Sequence, residues 1–450
     1  MMKLAFDLSF THTEGRWQAP GSWVGTSYPD HRMFTEIAVT AERAGIDMLF
    51  FGDGVGVPDT WKGSMDAAVR WGIQWPRQDM SPVVAAAAQA TTRIGFGLTY
   101  SSTYLHPFYL ARLMNSLDHV TGGRIALNVV ASGRVSDAAN YGFDTLMPHD
   151  RRYERMEEFV EVCRRLWASA EPGVVVEDRT TGQYGDPTKL HRIDHRGEHF
   201  AVRGPLPTVP SPQGRPVLVQ AGASPRGIAA SASFADIVFG VGGDRDRQVR
   251  HRADLDAALE RAGRDPATVG ILWAVQVIVG VTAAEAQQRR AELLGGLSLE
   301  GIGTYLSYNS GFDFSGLPSS FVLGEIAAEI EAAQSTQAGF VAELVERLGA
   351  DTRISRAEFF DAGWRHSTGY DQTIAGTVED VADQLEDQFE ATGRRGGFMI
   401  TNPVCMPGSL YDVAHLLVPE LRRRGLRPDS YPGSTLAENL LGRPLSCRLS

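Results

Sequence analysis

Polar side chains follow several of the predicted strands, at the point where each strand ends. They are Asp53, Thr99, Asn128, Ser132 and Ser224, and His149 and Tyr153 lie one turn apart at the start of a predicted helix. Hydroxyl and amide groups suit hydrogen bonding to a planar polar ligand or a phosphate better than they suit proton abstraction. Taken singly, each residue is also typical of a helix cap or a turn.

The segment R-P-V-L-V-Q-A-G-A-S-P-R-G at 215–227 carries the clearest of these positions. A short apolar strand runs into a small-residue turn, and Ser224 and Pro225 suit the N-cap and first position of a following helix. The N–H groups at such a helix start favour a phosphate. An ordinary strand-to-helix turn is the alternative.

Other kinds of chemistry find little support in the sequence. His191, His195 and His199 recur every fourth residue, but Pro187 and Gly197 interrupt any helix there and no H-E-x-x-H follows. A turn held by side-chain hydrogen bonds explains them better than a metal site. Neither a G-x-S-x-G elbow nor a pair of carboxylates at strand ends is present.

Eight strands that mostly alternate with helices position these side chains. The strands are predicted at Leu4–Leu8, Asp47–Phe51, Arg93–Thr99, Arg124–Val130, Pro216–Gln220, Asp236–Val241, Ile271–Val279 and Gly397–Thr401. The pattern predicts an α/β fold, a (β/α)8 TIM barrel, and no G-x-G-x-x-G supports a dinucleotide-binding sheet. In such a barrel all the strand-end residues share the carboxyl face.

The expected organisation is one barrel over residues 1–425, with insertions at about 172–212 and 297–369. A C-terminal tail at 426–450 is expected to be coil. Length, 43% hydrophobic residues and a net charge of −11 indicate a globular enzyme that binds neither nucleic acid nor membranes. Three distant cysteines and no apolar leader favour the cytoplasm.

Several longer motifs carry a resemblance to a known family. They are H-D-R-R-Y-E-R at 149–155, D-P-T-K-L-H-R-I-D-H-R-G-E-H-F at 186–200, G-P-L at 204–206, S-P-Q-G-R-P-V-L-V-Q-A-G-A-S at 211–224, G-T-V-E-D-V-A-D-Q-L at 376–385 and V-P-E-L-R-R-R-G-L at 418–426. The chain resembles the flavin-dependent monooxygenases typified by nitrilotriacetate monooxygenase, dibenzothiophene-sulfone monooxygenase and the pristinamycin oxidase component. These are bacterial-luciferase-like barrels, and the likeness covers nearly the whole chain.

The resemblance implies that reduced FMN from a separate NAD(P)H:flavin reductase reacts with O2 through a C4a-peroxyflavin. One oxygen atom then enters a small organic substrate. It also implies that Asp53, Thr99, Asn128, Ser132, His149, Tyr153 and Ser224 hold the flavin, with Tyr153 and Ser224 nearest its phosphate. His12 is a candidate for a catalytic polar contact, and a homo-oligomer, a dimer or a tetramer, is expected.

One position departs from the family pattern. The family often has N-x-V-T-S where this chain reads N-V-V-A-S at 128–132, so Ala131 removes a hydroxyl. Two other functions stay open: hydride transfer with the deazaflavin F420, and a flavin-binding barrel without chemistry.

Overall fold

A closed barrel of eight parallel strands forms the centre of the computed structural model. The structure describes residues 1–9, 17, 30–240, 244–294, 297–332, 339–401 and 407–445. The strands are β1 (Lys3–Asp7), β2 (Met48–Phe51), β3 (Gly95–Ser101), β4 (Ile125–Val130), β5 (Val217–Ala221), β6 (Ile237–Gly240), β7 (Gly270–Val275) and β8 (Gly396–Ile400). Each pairs with its neighbours in sequence, and β8 pairs with β1. The predicted (β/α)8 barrel and its eight strands are confirmed.

Helices surround the barrel because their apolar stripes must be buried against it. They are α1 (Arg32–Ala44), α2 (Asp66–Trp71), α3 (Ser81–Gln89), α4 (Pro107–Thr121), α5 (Val135–Asn140), α6 (His149–Trp167), α7 (Pro225–Phe234), α8 (Arg245–Arg261), α9 (Ala283–Leu294), α10 (Leu299–Ser310), α11 (Leu323–Ala332), α12 (Gly339–Leu348), α13 (Arg356–Thr368), α14 (Val378–Ala391), α15 (Pro407–Asp412), α16 (Val418–Arg423) and α17 (Leu436–Leu441). A π-helical turn, Val413–Leu417, joins α15 to α16.

Short strand pairs lie outside the barrel. Two hairpins, Val175–Asp178 with Gln183–Gly185 and His195–Arg196 with Ala201–Val202, fall in the first predicted insertion. Ser320–Val322 pairs with Arg353–Ser355 in the second. This second segment has an apolar core of its own, built around Phe314, Phe359 and Phe360. The division into one barrel unit with two insertions stays a prediction.

The predicted strand Ile271–Val279 is in fact divided in two. Its first part is β7, and Val277–Val279 leaves the barrel to pair with Ile374–Gly376. The side chain of Gln276 marks the division, because it is buried and donates a hydrogen bond to Thr368 O at 2.7 Å. That bond directs the chain toward the second insertion.

The sequence predicts coil for the whole C-terminal tail, but part of the tail is helical. Residues 436–441 form α17, whose N-cap Thr435 and Glu438 make a capping box. Leu436 is fully buried against Gly95 at the amino end of β3, and its backbone N–H bonds to Gly123 O just before β4. The tail therefore closes the end of the barrel opposite the candidate site.

Candidate functional site

A cleft of about 530 Å³ opens where β2, β3 and β4 end. Asp53, Thr99 and Ser132, which follow or end these three strands, all line it. Ser101 lines the same wall, although sequence reasoning did not select it. The carboxyl face of the barrel thus brings three of the predicted residues into one space, as parallel strands require.

Asn128 supports Thr99 from the neighbouring strand. The two residues are cross-strand partners in register, and Asn128 Nδ2 donates to Thr99 Oγ1 at 3.0 Å. Asn128 is buried and is not part of the cleft wall, and its Oδ1 has no hydrogen-bond partner among the described residues. Because Thr99 Oγ1 accepts this hydrogen bond from Asn128, its own hydroxyl proton can point into the cleft.

The segment after β4 is held in an unusual conformation. Ser132 has a φ of 28°, in the left-handed region that non-glycine residues rarely adopt. Its hydroxyl donates to Ser101 Oγ at 2.9 Å. From α6, Arg152 donates to Ala131 O at 3.2 Å and to Ser132 O. A buried cation on α6 therefore holds the backbone that carries the Ser132 hydroxyl.

Asp53 brings a carboxylate to the mouth of the cleft. Its Oδ1 accepts from the backbone N–H of Gly54 at 2.8 Å. Enclosure by the surrounding protein raises the pKa of this carboxyl, and the positive charge of Arg77 partly opposes that. Burial likewise raises the pKa of Asp137, which lies across the cleft. Both carboxyls therefore keep their protons to a higher pH than they would in water.

A second group of predicted residues surrounds the start of α7. Ser224 is the N-cap and accepts from Gly227 N at 3.1 Å, so the predicted cap is confirmed. A Cβ at Gly227 would lie 3.1 Å from Tyr153 Oη and 3.2 Å from Ser224 Oγ. It would also meet Gly222 Cα at 3.0 Å, so the turn and the helix approach each other closely because both positions are glycine. Two hydroxyls thus converge on one helix N-terminus.

His149 begins α6 beside this group. Its ring centroid lies 5.0 Å from that of Tyr153, and its Nδ1 is 2.8 Å from Asp150 Oδ1. Pro148 holds the N-cap position of this helix and makes no side-chain cap bond. Proline fixes the entry of the chain, and Asp150 lies in the first turn, where a negative charge is favourable.

The two groups lie on neighbouring elements at the same end of the barrel. β4 and β5 pair in register at Asn128 and Val219, so the loops that carry Ser132 and Ser224 are adjacent. Arg152 and Tyr153 are consecutive on α6, one directed at the β4 loop and the other at α7. His12 lies outside the described residues.

Charged residues that the sequence did not reveal also belong to this site. Arg226 makes two hydrogen bonds to Glu157, at 2.8 and 2.7 Å, with its guanidinium 5.3 Å from the centre of the Tyr153 ring. Arg77 lines the cleft, and Arg134 lies beside it. None of these falls at a strand end or on a regular period, so only the folded chain brings them together.

The three histidines with regular spacing do not come together as metal ligands. His191 pairs with Glu171 at 2.6 Å. His195 lies between Glu158 and Arg165, 2.9 Å from each. Among the residues that the structure describes, no cluster of three His, Cys, Asp or Glu side chains could hold a metal ion. The hydrogen-bonded arrangement expected for this segment is present.

A closed parallel barrel with polar side chains at the carboxyl ends of its strands is the arrangement of TIM-barrel enzymes. The family model described as luciferase-like monooxygenase matches residues 8–396. Dibenzothiophene-sulfone monooxygenase of Rhodococcus erythropolis is 34% identical over 437 residues, which cover 96% of this chain and 93% of the relative. Nitrilotriacetate monooxygenase component A of Aminobacter aminovorans is 33% identical over 458 residues, with 98% and 96% covered.

Solved structures agree with these relatives. A riboflavin lyase, solved with a modified FMN and riboflavin, superposes with a TM-score of 0.85 at 29% identity and covers 98% of this chain and 96% of that one. The chain therefore belongs to the luciferase-like monooxygenase family, and it is a flavin-dependent monooxygenase. Within the described parts of the chain, no helix has the length and apolar character to cross a membrane.

Proposed function

We propose that this chain is the oxygenase of a two-component system. It would bind reduced FMN from a separate NAD(P)H:flavin reductase and use O2 to oxygenate a small organic substrate. The observation that carries the proposal is the pairing, at one end of the barrel, of a polar cleft with a helix start that gathers two hydroxyls.

The helix start has the properties that a flavin phosphate needs. Ser224 Oγ and Tyr153 Oη lie within reach of one point beside Gly227, and the first turn of α7 offers backbone N–H groups without intrahelical partners. Both hydroxyls can donate to phosphate oxygens. His149 packs against Tyr153 and would hold its ring in place.

The cleft has the properties that the flavin ring and its side chain need. Thr99, Ser101 and Ser132 present hydroxyls to the cleft, and the buried Asn128 Oδ1 beside Thr99 has no hydrogen-bond partner in the described part of the chain. Asp53 lines the same cleft, where its carboxyl could accept a ring N–H or, protonated, donate to a ring oxygen. The riboflavin lyase relative, which was solved with a modified FMN, supports this assignment.

The chemistry divides between the cofactor and the protein. Reduced FMN, when bound, supplies the electrons that activate O2, so that one oxygen atom enters the substrate and the other leaves as water. The chain orients the flavin through its hydroxyls. Tyr100, Leu105 and Val130 exclude water from the inner wall of the cleft.

The reductase is proposed as a separate protein. The sequence shows no G-x-G-x-x-G fingerprint for a nicotinamide dinucleotide, and one relative is itself named component A of its monooxygenase. A cytoplasmic location, where NAD(P)H is regenerated, suits this supply of reduced flavin. Assembly as a dimer or tetramer stays a prediction.

The test combines the purified chain with a flavin reductase, NADH, FMN and a panel of sulfones, thioethers, carboxylates and alkanes under 18O2. We expect one 18O atom in a product, formed only when both proteins and FMN are present. Product formation with F420 in place of FMN, or without O2, would contradict the proposal. So would the absence of any product together with the absence of reduced-FMN binding.

A further inference from the structure

Two arginines beside the cleft have no carboxylate partner. Arg77 donates to Gln74 Oε1, and Arg134 donates to Asn309 Oδ1 at 3.2 Å and lies 4.5 Å from the centre of the Tyr308 ring. Within the described residues neither forms an ion pair, and the Nε of each is buried without a hydrogen-bond partner. Arginines enclosed by protein normally pair with a carboxylate or bind an anion.

Both guanidinium groups face one small space. A Cβ at position 54 would lie 2.8 Å from Arg134 Nη1 and 3.4 Å from Arg77 Nη1. The Tyr308 hydroxyl lies 3.4 Å from the same point. Two like charges held this close repel each other, and an anion between them would remove the repulsion. A side chain at position 54 would collide with Arg134, so the close approach of the two guanidinium groups depends on glycine there.

The nearby carboxylates form no ion pair with either arginine among the described residues. Asp79 accepts from Tyr100 Oη at 3.0 Å and from Ser81 N at 2.8 Å. Asp53 accepts from Gly54 N, and neither Asp53 nor Asp137 lies within ion-pair distance of either arginine in the described structure. Asp53 and Asp137 line the same cleft, and the positive charge of Arg77 acts on both carboxyls. They would restrict the site to an anion small enough to reach the guanidinium groups directly.

Aromatic side chains continue the cleft outward from the arginines. Trp75, Tyr109 and Tyr141 line it and are 38%, 57% and 41% exposed. Tyr141 stacks on Tyr104 with ring centroids 5.0 Å apart, which holds its ring at the rim. Exposed aromatic rings around a pocket indicate contact with a partly apolar ligand.

From this arrangement we infer that the substrate is an organic anion, with a carboxylate or sulfonate bound by Arg77 and Arg134 and an apolar body against Trp75, Tyr109 and Tyr141. The inference rests on the proposed function, because it names the class of molecule that the monooxygenase oxygenates. Arginine suits either anion, since its planar fork matches two oxygen atoms at once. Arg77 and Arg134 are then specificity-determining residues.

Binding of matched probe pairs tests the inference without knowledge of the natural substrate. The probes are naphthalene-2-sulfonate against naphthalene-2-sulfonamide, and 2-naphthoate against 2-naphthamide, titrated calorimetrically with and without saturating FMN. We expect each anion to bind at least roughly tenfold more tightly than its neutral partner. The preference should fall as salt is raised, a measurement that requires no variant.

The variants Arg77→Gln and Arg134→Gln should each abolish most of this preference. Arg250→Gln, at an exposed position on α8, is the matched control and should leave it unchanged. Equal binding of anion and neutral probe by the unmodified chain would overturn the inference. So would an unchanged preference in both cleft variants.

Titration with FMN and riboflavin distinguishes a failure of the substrate inference from a failure of the proposed function. If the cleft variants weaken FMN binding but not riboflavin binding, the arginines hold the flavin phosphate and the substrate inference fails. If no flavin binds while the anion preference persists, the proposed function fails and the anion site stands. If FMN binds normally and no probe shows a charge preference, only the substrate inference fails.

Discussion

Ser224 has two tasks at the start of α7 that experiment can separate. Its hydroxyl caps the helix by accepting from Gly227 N, and the same oxygen lies beside Tyr153 Oη at the proposed phosphate position. The first task contributes to folding and the second to the ligand. A second serine in the chain performs the cap alone: Ser298 accepts from Gly301 N at 3.1 Å at the start of α10.

The double variant Ser224→Ala, Tyr153→Phe should weaken binding of reduced FMN by about 1–3 kcal/mol, because two hydrogen bonds to a charged group are lost. Binding of reduced riboflavin, which lacks the phosphate, should change little. The measurement is an anaerobic titration of both flavins by fluorescence quenching.

Ser298→Ala is the control for the cap. It should lower the melting temperature about as much as Ser224→Ala does and leave the affinity for FMN unchanged. An equal loss of FMN and riboflavin binding in the double variant would place the phosphate elsewhere.

Asp53 gives a prediction about pH. Partial desolvation in the cleft raises its pKa above the ordinary value of 3.8, so the folded chain keeps this proton at pH values where the unfolded chain has lost it. Its ionisation therefore reduces stability as the pH rises through and above that ordinary value. Asp53→Asn should raise the melting temperature at neutral pH, and the difference should disappear below the ordinary pKa.

Calorimetric melting of the Asp53→Asn variant across this range checks the prediction. Asp59→Asn, in the same loop but not among the residues that line the cleft, serves as the control. A stabilisation by Asp53→Asn that is as large in acid as at neutral pH would show that the charge of Asp53 is not its cause.

At the scale of elements, α6 connects the two halves of the site. Arg152 reaches the β4 loop through Ala131 O and Ser132 O and holds the start of its own helix through Met147 O at 3.0 Å. The side chain is buried, so these bonds have no competition from water. The hydrogen bonds from Arg152 to Ala131 O and Ser132 O stabilise the positive φ of Ser132.

Arg152→Met should lower the free energy of unfolding by about 1.5–3 kcal/mol, since hydrogen bonds from a buried cation are lost. Affinity for reduced FMN should fall as well, because the Ser132 hydroxyl is released. Urea unfolding and flavin titration measure the two effects.

The neighbouring Arg151 provides the comparison. It is exposed and pairs with Glu154 and Glu198, and solvent screens such pairs, so Arg151→Met should destabilise the chain much less than Arg152→Met. A similar loss of stability in both variants would show that the buried hydrogen bonds of Arg152 contribute no more to the free energy of unfolding than the exposed ion pairs of Arg151.

At the scale of the whole molecule, stability and binding are separated along the barrel axis. The residues proposed to bind the flavin lie at the carboxyl ends of the strands, and α17 closes the amino ends. Leu436 and Leu440 enter the lower barrel core with Met48 and Val217. Substitutions at the carboxyl ends should therefore change flavin affinity, and substitutions at the amino ends should change stability.

Leu436→Ala should destabilise the chain by about 2–5 kcal/mol, because a fully buried leucine leaves a cavity. It should leave the affinity for reduced FMN unchanged at temperatures where the chain is folded. Leu416→Ala, at a leucine that is 45% exposed, is the control and should change little. Loss of flavin binding by the folded Leu436→Ala variant would show that the two ends are coupled.

The sequence predicted the barrel well because its signals are local. Each strand is a short apolar run between turn residues, and the helices between them carry apolar stripes. By contrast α17 has only six residues, too few for a period to be read, and its burial depends on the barrel beneath it. Likewise, the division of the seventh predicted strand depends on Gln276 and its distant partner Thr368.

Some residues of the candidate site could likewise be predicted from the sequence, and others could not. Thr99, Ser132 and Ser224 follow strands, so their shared location could be predicted from parallel topology alone. Arg77 and Arg134 are 57 positions apart in the chain and meet only because the loops after β2 and β4 fold over one cleft. No local pattern indicates such a pair.

The most direct measurement is an anaerobic titration of the unmodified chain with reduced FMN, reduced riboflavin and reduced F420. We expect saturable binding of one reduced FMN per chain, with reduced riboflavin bound more weakly because it lacks the phosphate. Failure to bind reduced FMN, or tighter binding of reduced F420, would contradict this expectation.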